Sequence, residues 1–235
     1  MSGEPAILFE RSGVVAVAKP GGLPTQAPAG IQSVESWLRG HLTAGAYLGV
    51  PHRLDRAVSG VILMATTPRA ARQLSRQFER RQIEKTYVAM VSERDGAAGA
   101  ADPFEWLDRI AKKPDVAVAE IVGDTDPEGR DAVTRGRRLG TTAPGRALLE
   151  LQPLTGRMHQ LRLQAAHRGM PVVGDALYGG PAFEAVAALD GRQRPIALHA
   201  LSIRFRDPDT PEDVVVSAPP PAFWPDTAHQ FLRPR

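Results

Sequence analysis

The chain has 235 residues, of which 43% are hydrophobic, and its formal net charge is +3. This size and composition predict a folded core and argue against a disordered chain. The absence of cysteine excludes disulfides and thiolate metal sites, and no run of about 18 apolar residues indicates a membrane span. The small basic excess permits an anionic partner such as nucleic acid without requiring one, and we expect a soluble, non-secreted, cytoplasmic protein.

The first predicted elements are a strand and a short helix. The run GVVAVA is apolar and β-branched, and it stops at KPGG (residues 19–22), as a strand does on entering a tight turn. The segment SVESWLRGHL then places apolar residues on one helical face, with Ser33 as the N-cap. We therefore expect a strand, a turn and an amphipathic helix in this order.

The next motif, PHRLDRAVSG (residues 51–60), places one carboxylate, Asp55, among basic residues. It leads directly into GVILMAT, an apolar run that is long enough for a buried strand and short for a helix. Asp55 is thus predicted in a loop that enters a core strand. By itself the motif is also compatible with an ordinary solvent-exposed cluster of ion pairs.

A second helix is predicted from Thr67 and Pro68, whose residue types suit an N-cap and a first helical position. Its polar face carries arginines spaced by three, four and four residues, namely Arg69, Arg72, Arg76 and Arg80. Because these positions share one side of a helix, they form a stripe. Such a stripe either contacts the phosphates of a nucleic acid or is simply the solvated face of the helix.

The central region predicts less regular structure. EKTYVAMV (residues 84–91) has the β-branched and aromatic composition of a strand and contains Tyr87. The polar segment from Ser92 to Gly145 predicts loops and short strands, with DVAVAEIVG as the best strand candidate.

The segment that begins RALLELQPLTG is predicted to run from a strand through a turn into a helix, which Gly169 ends. Helical spacing would place His159 and Arg162 one turn apart on a shared side of that helix. Gln164 would then project nearly opposite to Arg162. IALHALSIRF, further along, is the last strand-like run.

Taken in order, these segments resemble the RluA-type family of pseudouridine synthases, which isomerise uridine within RNA. The similarity runs from Ile7 to Trp224 and is carried by VVAVAKPGGLPTQ, HRLDRAVSGVILMA, EKTYVAMV, LTGRMHQLRLQAAHRGMPVVGDALYGG, LHALSIRF and SAPPPAFW. It implies an α/β (α+β) fold, in which a mixed, largely antiparallel bent sheet is flanked by helices and loops, with the active site in a basic cleft. It also implies that residues 1–235 form one catalytic domain without an N-terminal RNA-binding appendage.

The resemblance implies a role for each candidate residue. Asp55 would be the catalytic carboxylate, as a nucleophile or as a stabiliser of positive charge on the sugar. Arg162 would pair with Asp55 and keep it ionised, and Tyr87 would stack near the uracil or act as a general base. Arg53 would help to hold the nucleotide flipped out of its helix. The other residues expected to bind RNA are His52, Arg56, Arg157, His159, Arg72 and Arg76.

The implied reaction is an isomerisation, for which we expect no metal, redox cofactor or nucleotide. The expected partner is ribosomal or transfer RNA, with no membrane and no obligate protein partner. Two alternatives from other classes stay open at this point. One is a non-catalytic RNA-binding protein on the same fold, and the other is an aspartate-dependent hydrolase of small nucleosides.

The sequence departs from the usual family pattern at three positions. Val58 stands where threonine is common, Met158 where threonine or serine is usual, and Gln164 where histidine is frequent. We expect Gln164 to affect packing or RNA contacts before it affects catalysis, because it is predicted to face away from Arg162.

Overall fold

The computed structural model describes residues 3–93 and 102–232. In chain order the elements are β1 (Ala6–Arg11), β2 (Val14–Lys19), α1 (Val34–Arg39), β3 (Ser59–Ala65), α2 (Pro68–Glu79), β4 (Glu84–Ser92), β5 (Phe104–Lys112), β6 (Ala119–Val122), β7 (Arg130–Ala143), β8 (Arg146–Pro153), α3 (Gln160–His167), β9 (Leu198–Arg206), β10 (Asp213–Ser217) and α4 (Asp226–Phe231). Strands and helices are mixed, and most strand pairs are antiparallel, which confirms the predicted fold class.

The chain divides into two compact units, each assembled from separate stretches of sequence. The first unit contains the described residues of Met1–Lys85, Ala188–Pro195 and His199–Pro221. The second contains the described residues of Thr86–Ala187, Ile196–Leu198 and Ala222–Arg235. Neither unit is a continuous segment.

In the first unit the strand order is β1–β2–β3–β9, and β10 pairs with β9. The pairing of β3 with β9 is parallel, at Ser59 and His199, while the other pairs are antiparallel. Leu74 and other apolar residues of α2 pack on the core that β2, β3, β9 and β10 form. The predicted N-caps are confirmed: the hydroxyls of Ser33 and Thr67 accept backbone N–H groups in the first turns of α1 and α2.

In the second unit the strands follow the order β4–β8–β7–β5–β6, and all these pairs are antiparallel. Ile110, Ala119 and Ala132 form a small core on β5, β6 and β7. Met158, which precedes α3, and Leu163 within α3 pack against this core. These two side chains provide the apolar part of the contact between this segment and the sheet.

The segment from Ser92 to Gly145 contains more regular structure than predicted. It holds β5, β6 and the 14-residue strand β7, whereas short strands and loops were expected. Residues 94–101 lie outside the described residues. The polar composition concealed β7 because its outward residues form cross-strand ion pairs, such as that between Arg135 and Glu105 (2.8 Å).

Candidate active site

Asp55 lies in the loop before β3, as predicted. The hydroxyl of Thr25 donates to the carbonyl of Leu54 (2.9 Å) and accepts the N–H of Leu54 (3.2 Å). On the other side of Asp55, the N–H of Gly22 donates to the carbonyl of Arg56 (2.8 Å). The backbone on both sides of the carboxylate is thus fixed to the same neighbouring loop, the one that follows β2.

Lys19, the last residue of β2, is 2% exposed and adds a third attachment. Its Nζ donates to the carbonyls of Pro20 (3.0 Å), Leu23 (2.6 Å) and Arg56 (3.0 Å). Burial lowers the pKa of Lys19 to about 7, and the negative charge of Asp55 opposes that shift. Lys19 therefore joins the two loops and places an ammonium group within electrostatic range of Asp55. No role for Lys19 was predicted from the sequence.

The turn between Lys19 and Thr25 requires glycine. Gly22 has a φ of +88°, and a Cβ there would lie 2.2 Å from the carbonyl oxygen of Gln193. A Cβ on Gly21 would lie 2.4 Å from the Cβ of Pro195. The glycine pair thus lets the turn pack closely against a later segment of the same unit.

The basic residues around Asp55 have different environments. Nε2 of His52 accepts the backbone N–H of Leu63 (2.9 Å), and the ring packs on Phe78 at a centroid distance of 4.5 Å. Burial lowers the pKa of His52 to about 3, so the ring is neutral and fixes the start of the motif. Arg53 and Arg56 are exposed. A direct contact between His52 and RNA stays a prediction.

The arginine stripe of α2 is solvent-exposed at Arg69, Arg72, Arg76 and Arg80. Arg69 forms an ion pair with Asp209 (3.2 Å). Within residues 3–93 and 102–232, no carboxylate forms an ion pair with Arg72, Arg76 or Arg80. In contrast, three neighbouring arginines of β7, Arg135, Arg137 and Arg138, are each paired with a glutamate. Among the described residues, Arg72, Arg76 and Arg80 thus carry positive charge that is not neutralised by an ion pair.

Tyr87 lies on β4, which confirms the predicted strand. It faces Leu151 of β8 in the antiparallel register and is partly buried. The residues that follow it, from Val88 to Val91, are fully buried. Tyr87 therefore stands where β4 passes from a partly exposed stretch into the core of the second unit.

Arg162 of α3 forms a buried, bidentate ion pair with Asp175. Nε donates to one carboxylate oxygen (2.6 Å) and Nη2 to the other (2.7 Å). The guanidinium carbon also lies 5.3 Å from the centre of the Tyr178 ring. Neither Asp175 nor Tyr178 was predicted as a site residue, although both lie in the GDALYGG stretch that contributes to the resemblance. The pairing of Arg162 with Asp55, which belongs to the other unit, stays a prediction.

The predicted position of His159 on the helix was wrong. His159 is the N-cap of α3 with a φ of 52°, so the helix begins only after it. Its Nδ1 nevertheless lies 2.9 Å from the hydroxyl of Tyr178, the same side chain that stacks on Arg162. Arg157, also predicted to bind RNA, donates from Nε to the carbonyl of Asp131 (2.9 Å).

Gln164 is fully buried and faces the sheet. Its Oε1 accepts the hydroxyl of Thr134 (2.6 Å), and its Nε2 donates to Asp108 (2.7 Å) and to the carbonyl of Ala132 (3.1 Å). These partners lie on β5 and β7, whereas the partners of Arg162 lie beyond α3. The prediction that the two side chains point to different sides is confirmed, and Gln164 acts in packing.

In the described part of the chain, no three His, Cys, Asp or Glu side chains cluster in a way that could hold a metal ion. None of the helices described is long and apolar enough to cross a membrane.

Comparison with known proteins identifies the family of this chain. The family model described as RNA pseudouridylate synthase matches residues 13–167, more than half of the chain. The chain belongs to this family. The match spans Asp55, Tyr87 and Arg162, and the resemblance inferred from the sequence is confirmed.

Individual relatives agree with this assignment. The tRNA pseudouridine synthase C of Vibrio cholerae is 31% identical over 245 residues, which cover 96% of this chain and 95% of that protein. The ribosomal large subunit pseudouridine synthase C of Haemophilus ducreyi is 30% identical over 217 residues, covering 92% of this chain and 66% of that protein. The chain spans 65–66% of the length of several ribosomal relatives.

A solved structure shows the same fold. The human protein RNA pseudouridylate synthase domain containing 4 superposes with a TM-score of 0.73 at 23% identity, covering 97% of this chain and 93% of that protein.

Proposed function

We propose that this chain is an RNA pseudouridine synthase that converts uridines in structured ribosomal or transfer RNA to pseudouridine. The observation that carries the proposal is Asp55, a carboxylate within the family-matched segment whose loop is attached on both sides to the turn after β2. A fixed backbone of this kind is what a catalytic carboxylate needs, because small displacements of a reacting group cost rate.

The reaction rearranges bonds within one nucleotide. The bond between C1′ of the ribose and N1 of uracil breaks, the uracil turns, and a new bond forms between C1′ and C5. C5 then loses its proton and N1 gains one, so atoms and electrons balance without an oxidant or reductant. Asp55 would act either as the nucleophile on the sugar or base, or as the negative charge that stabilises a cationic sugar.

Two further residues, Arg162 and Tyr87, are proposed to take part in catalysis. Arg162 would form an ion pair with Asp55, because a planar guanidinium binds a carboxylate through paired hydrogen bonds. Tyr87 would stack on the uracil or accept its proton. Because both units interleave in sequence, we propose that residues 1–235 act as one catalytic domain.

RNA must present the uridine outside its helix before Asp55 can reach it. Arg53 and Arg56, which are exposed beside Asp55, are the proposed contacts to the flipped nucleotide. Arg72 and Arg76 of α2 are proposed phosphate contacts because they lack acidic partners among the described residues. Arg157, His159 and His52 are proposed as further RNA contacts. A cytoplasmic location would follow from these RNA substrates.

The test is release of tritium from RNA labelled at C5 of uracil, using ribosomal and transfer RNA that lack the modification. We expect release by the wild type and a loss of at least about a thousandfold, roughly 4 kcal/mol, in Asp55→Asn. RNA affinity should be kept, because phosphate contacts dominate it. Asp213→Asn, at an exposed aspartate of β10, is the matched control and should keep full activity.

Each outcome addresses one part of the proposal. No release by the wild type from either RNA would contradict the function and favour the non-catalytic RNA-binding alternative. Turnover of free uridine would favour a nucleoside hydrolase. A normal rate in Asp55→Asn would show that the catalytic carboxylate lies elsewhere.

A further inference from the structure

Tyr47 is an exposed aromatic residue between α1 and the loop of Asp55, and the proposed catalytic chemistry does not use it. The residue is 42% exposed. One edge of its ring is nevertheless in contact with the protein, because a Cβ at Gly49 would lie 3.0 Å from Oη and 3.2 Å from Cε1 of Tyr47. The same Cβ would lie 3.1 Å from the Cβ of Ala71 on α2. The ring therefore packs over a glycine beside the first turn of α2 and keeps part of its surface in solvent.

The backbone under the ring is fixed to the core of the first unit. The N–H of Gly49 donates to the carbonyl of Ala65 (2.7 Å), and the N–H of Ala65 donates to the carbonyl of Gly49 (2.9 Å). Ala65 is the last residue of the buried strand β3. An aromatic ring that is already anchored in this way loses little freedom when a ligand contacts it, which favours binding.

The segment from Tyr47 to His52 follows one flank of α2 toward the loop of Asp55. Tyr47 packs beside Ala71, and the ring of His52 packs on Phe78 at a centroid distance of 4.5 Å. Ala71 and Phe78 are seven residues apart, so they lie on the same side of the helix, about 10 Å apart along its axis. Asp55 follows His52 by three residues. Tyr47 thus lies on the flank of α2 that leads to the proposed catalytic loop.

Positive charge borders this flank on its solvent side. Arg72 follows Ala71 directly, Arg76 comes one turn later, and both are exposed. In the part of the chain that the structure describes, neither arginine forms an ion pair with a carboxylate. Exposed aromatic rings next to such arginines are typical of surfaces that bind single-stranded nucleic acid, where the cations contact phosphates and the ring stacks on a base. The bases of a duplex are stacked inside the helix, so a duplex would leave the ring unused.

We propose that Tyr47 is a base-stacking residue, which binds an unpaired nucleotide near the target uridine while Arg72 and Arg76 contact the phosphates of the same strand. The inference rests on the proposed function for RNA as the ligand, and it goes beyond that function by requiring that the RNA on this flank of α2 be single-stranded. Because every base has a π-face, the ring would hold the strand without reading its sequence.

The first experiment measures the affinity of the full chain for a fluorescein-labelled oligouridylate and for an RNA duplex of the same length. Tyr47→Leu keeps an apolar contact with Ala71 but removes the π-face, so we expect oligouridylate to bind at least about fivefold more weakly. The affinity for the duplex should stay within about twofold, because phosphate contacts supply it. Tyr47→Phe keeps the π-face and should bind both RNAs within about twofold of the wild type.

The matched control is Phe231→Leu. Phe231 of α4 is 44% exposed, and its ring also packs over a glycine, Gly140 of β7. This residue belongs to the second unit, away from α2. Its replacement should leave both affinities within about twofold of the wild type, because no stacked base is lost.

The salt dependence of binding separates stacking from phosphate contact. Stacking releases no counterions, so Tyr47→Leu should lower the affinity for oligouridylate at every salt concentration and leave the log–log salt slope unchanged. Arg72→Gln with Arg76→Gln should instead reduce that slope. The stacking role is overturned if Tyr47→Leu binds oligouridylate like the wild type, if its affinity for the duplex falls equally, or if Tyr47→Phe loses as much as Tyr47→Leu.

A measurement on the wild type covers the case in which Tyr47→Leu does not fold. Tetranitromethane nitrates exposed tyrosine rings, and peptide mass spectrometry locates the product. Saturating oligouridylate should protect Tyr47 from nitration, because a stacked base covers the ring. Nitration of Tyr47 at the same rate with and without oligouridylate would overturn the proposal.

These measurements record binding and do not depend on turnover. A wild type that binds RNA but releases no tritium would contradict the proposed function and leave the stacking result to stand by itself. An active wild type whose Tyr47→Leu variant binds oligouridylate unchanged would overturn the stacking role alone.

Discussion

At Lys19, one side chain performs two tasks that usually fall to different residues. Its ammonium donates hydrogen bonds to three backbone carbonyls and so connects the turn after β2 to the loop of Asp55. The same group supplies positive charge near that carboxylate. Burial makes the ammonium costly to keep charged, which is why its pKa falls to about 7.

Lys19→Met should therefore disturb the site more than the fold. The methionine fills a similar volume but removes the hydrogen bond to the carbonyl of Arg56, and it leaves the carbonyls of Pro20 and Leu23 without this donor. The Asp55 loop therefore loses one of its attachments to the turn after β2. We expect the single-turnover rate to fall at least about tenfold with RNA affinity kept. Lys113→Met, at an exposed lysine paired with Glu120, should keep the rate. Equal rates in the two variants would contradict a role for Lys19.

The buried hydrogen bonds of Gln164 should contribute to the stability of the fold. Gln164→Leu keeps the size but removes a buried donor and acceptor, and we expect about 2 kcal/mol lower free energy of unfolding. Gln164→Glu should cost more, because a carboxylate would face Asp108 and the carbonyl of Ala132, which now accept hydrogen bonds. Urea unfolding of both variants measures the order. A Glu variant as stable as the wild type would contradict the hydrogen-bond assignment.

Asp55 could be predicted from the sequence, whereas the buried charged residues Lys19 and Asp175 could not. An acid between two arginines before an apolar run is visible in the letters, and so is its loop position. Lys19 and Asp175 differ from surface charges only in being buried. Burial depends on contacts between segments that are distant in sequence, such as the one between Lys19 and Arg56, and no local pattern records those contacts.

Among the elements, α2 has the clearest division between its two faces. Apolar residues pack on the core of the first unit, and arginines cover the exposed side. Arg72→Gln with Arg76→Gln should weaken binding to many RNAs alike and reduce the log–log salt slope by about one unit for each phosphate that is no longer neutralised. The fold should be unaffected, because both side chains are exposed.

The matched control for that prediction lies on β7. Arg135→Gln with Arg137→Gln removes the same number of charges, but these arginines are already paired with Glu105 and Glu150. We expect the salt slope of the control to stay close to that of the wild type. If the α2 variant also leaves the slope unchanged, the stripe is only the solvated face of the helix.

The accuracy of the predicted elements follows the strength of their local signals. The starts of α1 and α2 are confirmed because capping side chains act over a few residues. The start of α3 was missed because His159 adopts a left-handed conformation, with its ring held near Tyr178. β7 was missed because its pairing with two neighbouring strands, rather than its composition, determines its length.

Each of the two units is completed by segments from late in the sequence. In the first unit β9 pairs with β3, and β10 then pairs with β9. His199 lies at this junction and is 2% exposed. Its Nδ1 lies 2.9 Å from the hydroxyl of Ser59 on β3, and its Nε2 lies 2.9 Å from the carbonyl of Ala218 after β10. One neutral ring therefore holds three separate segments together.

This junction makes stability depend on pH. Burial lowers the pKa of His199 from 6.5 to about 4, so between these values the folded chain binds fewer protons than the unfolded chain. The contribution of His199 is then complete above about pH 6.5 and is lost as the pH falls toward 4, by up to about 3 kcal/mol. Comparing the wild type with His199→Gln by urea unfolding at several pH values isolates this effect, because the carboxylates titrate in both proteins. We expect the wild type to lose stability relative to the variant by about 1.4 kcal/mol per pH unit within the window. A difference that stays constant from pH 7 to pH 4.5 would show that His199 is protonated alike in the folded and unfolded chains, and the neutral ring could not then be what joins these segments.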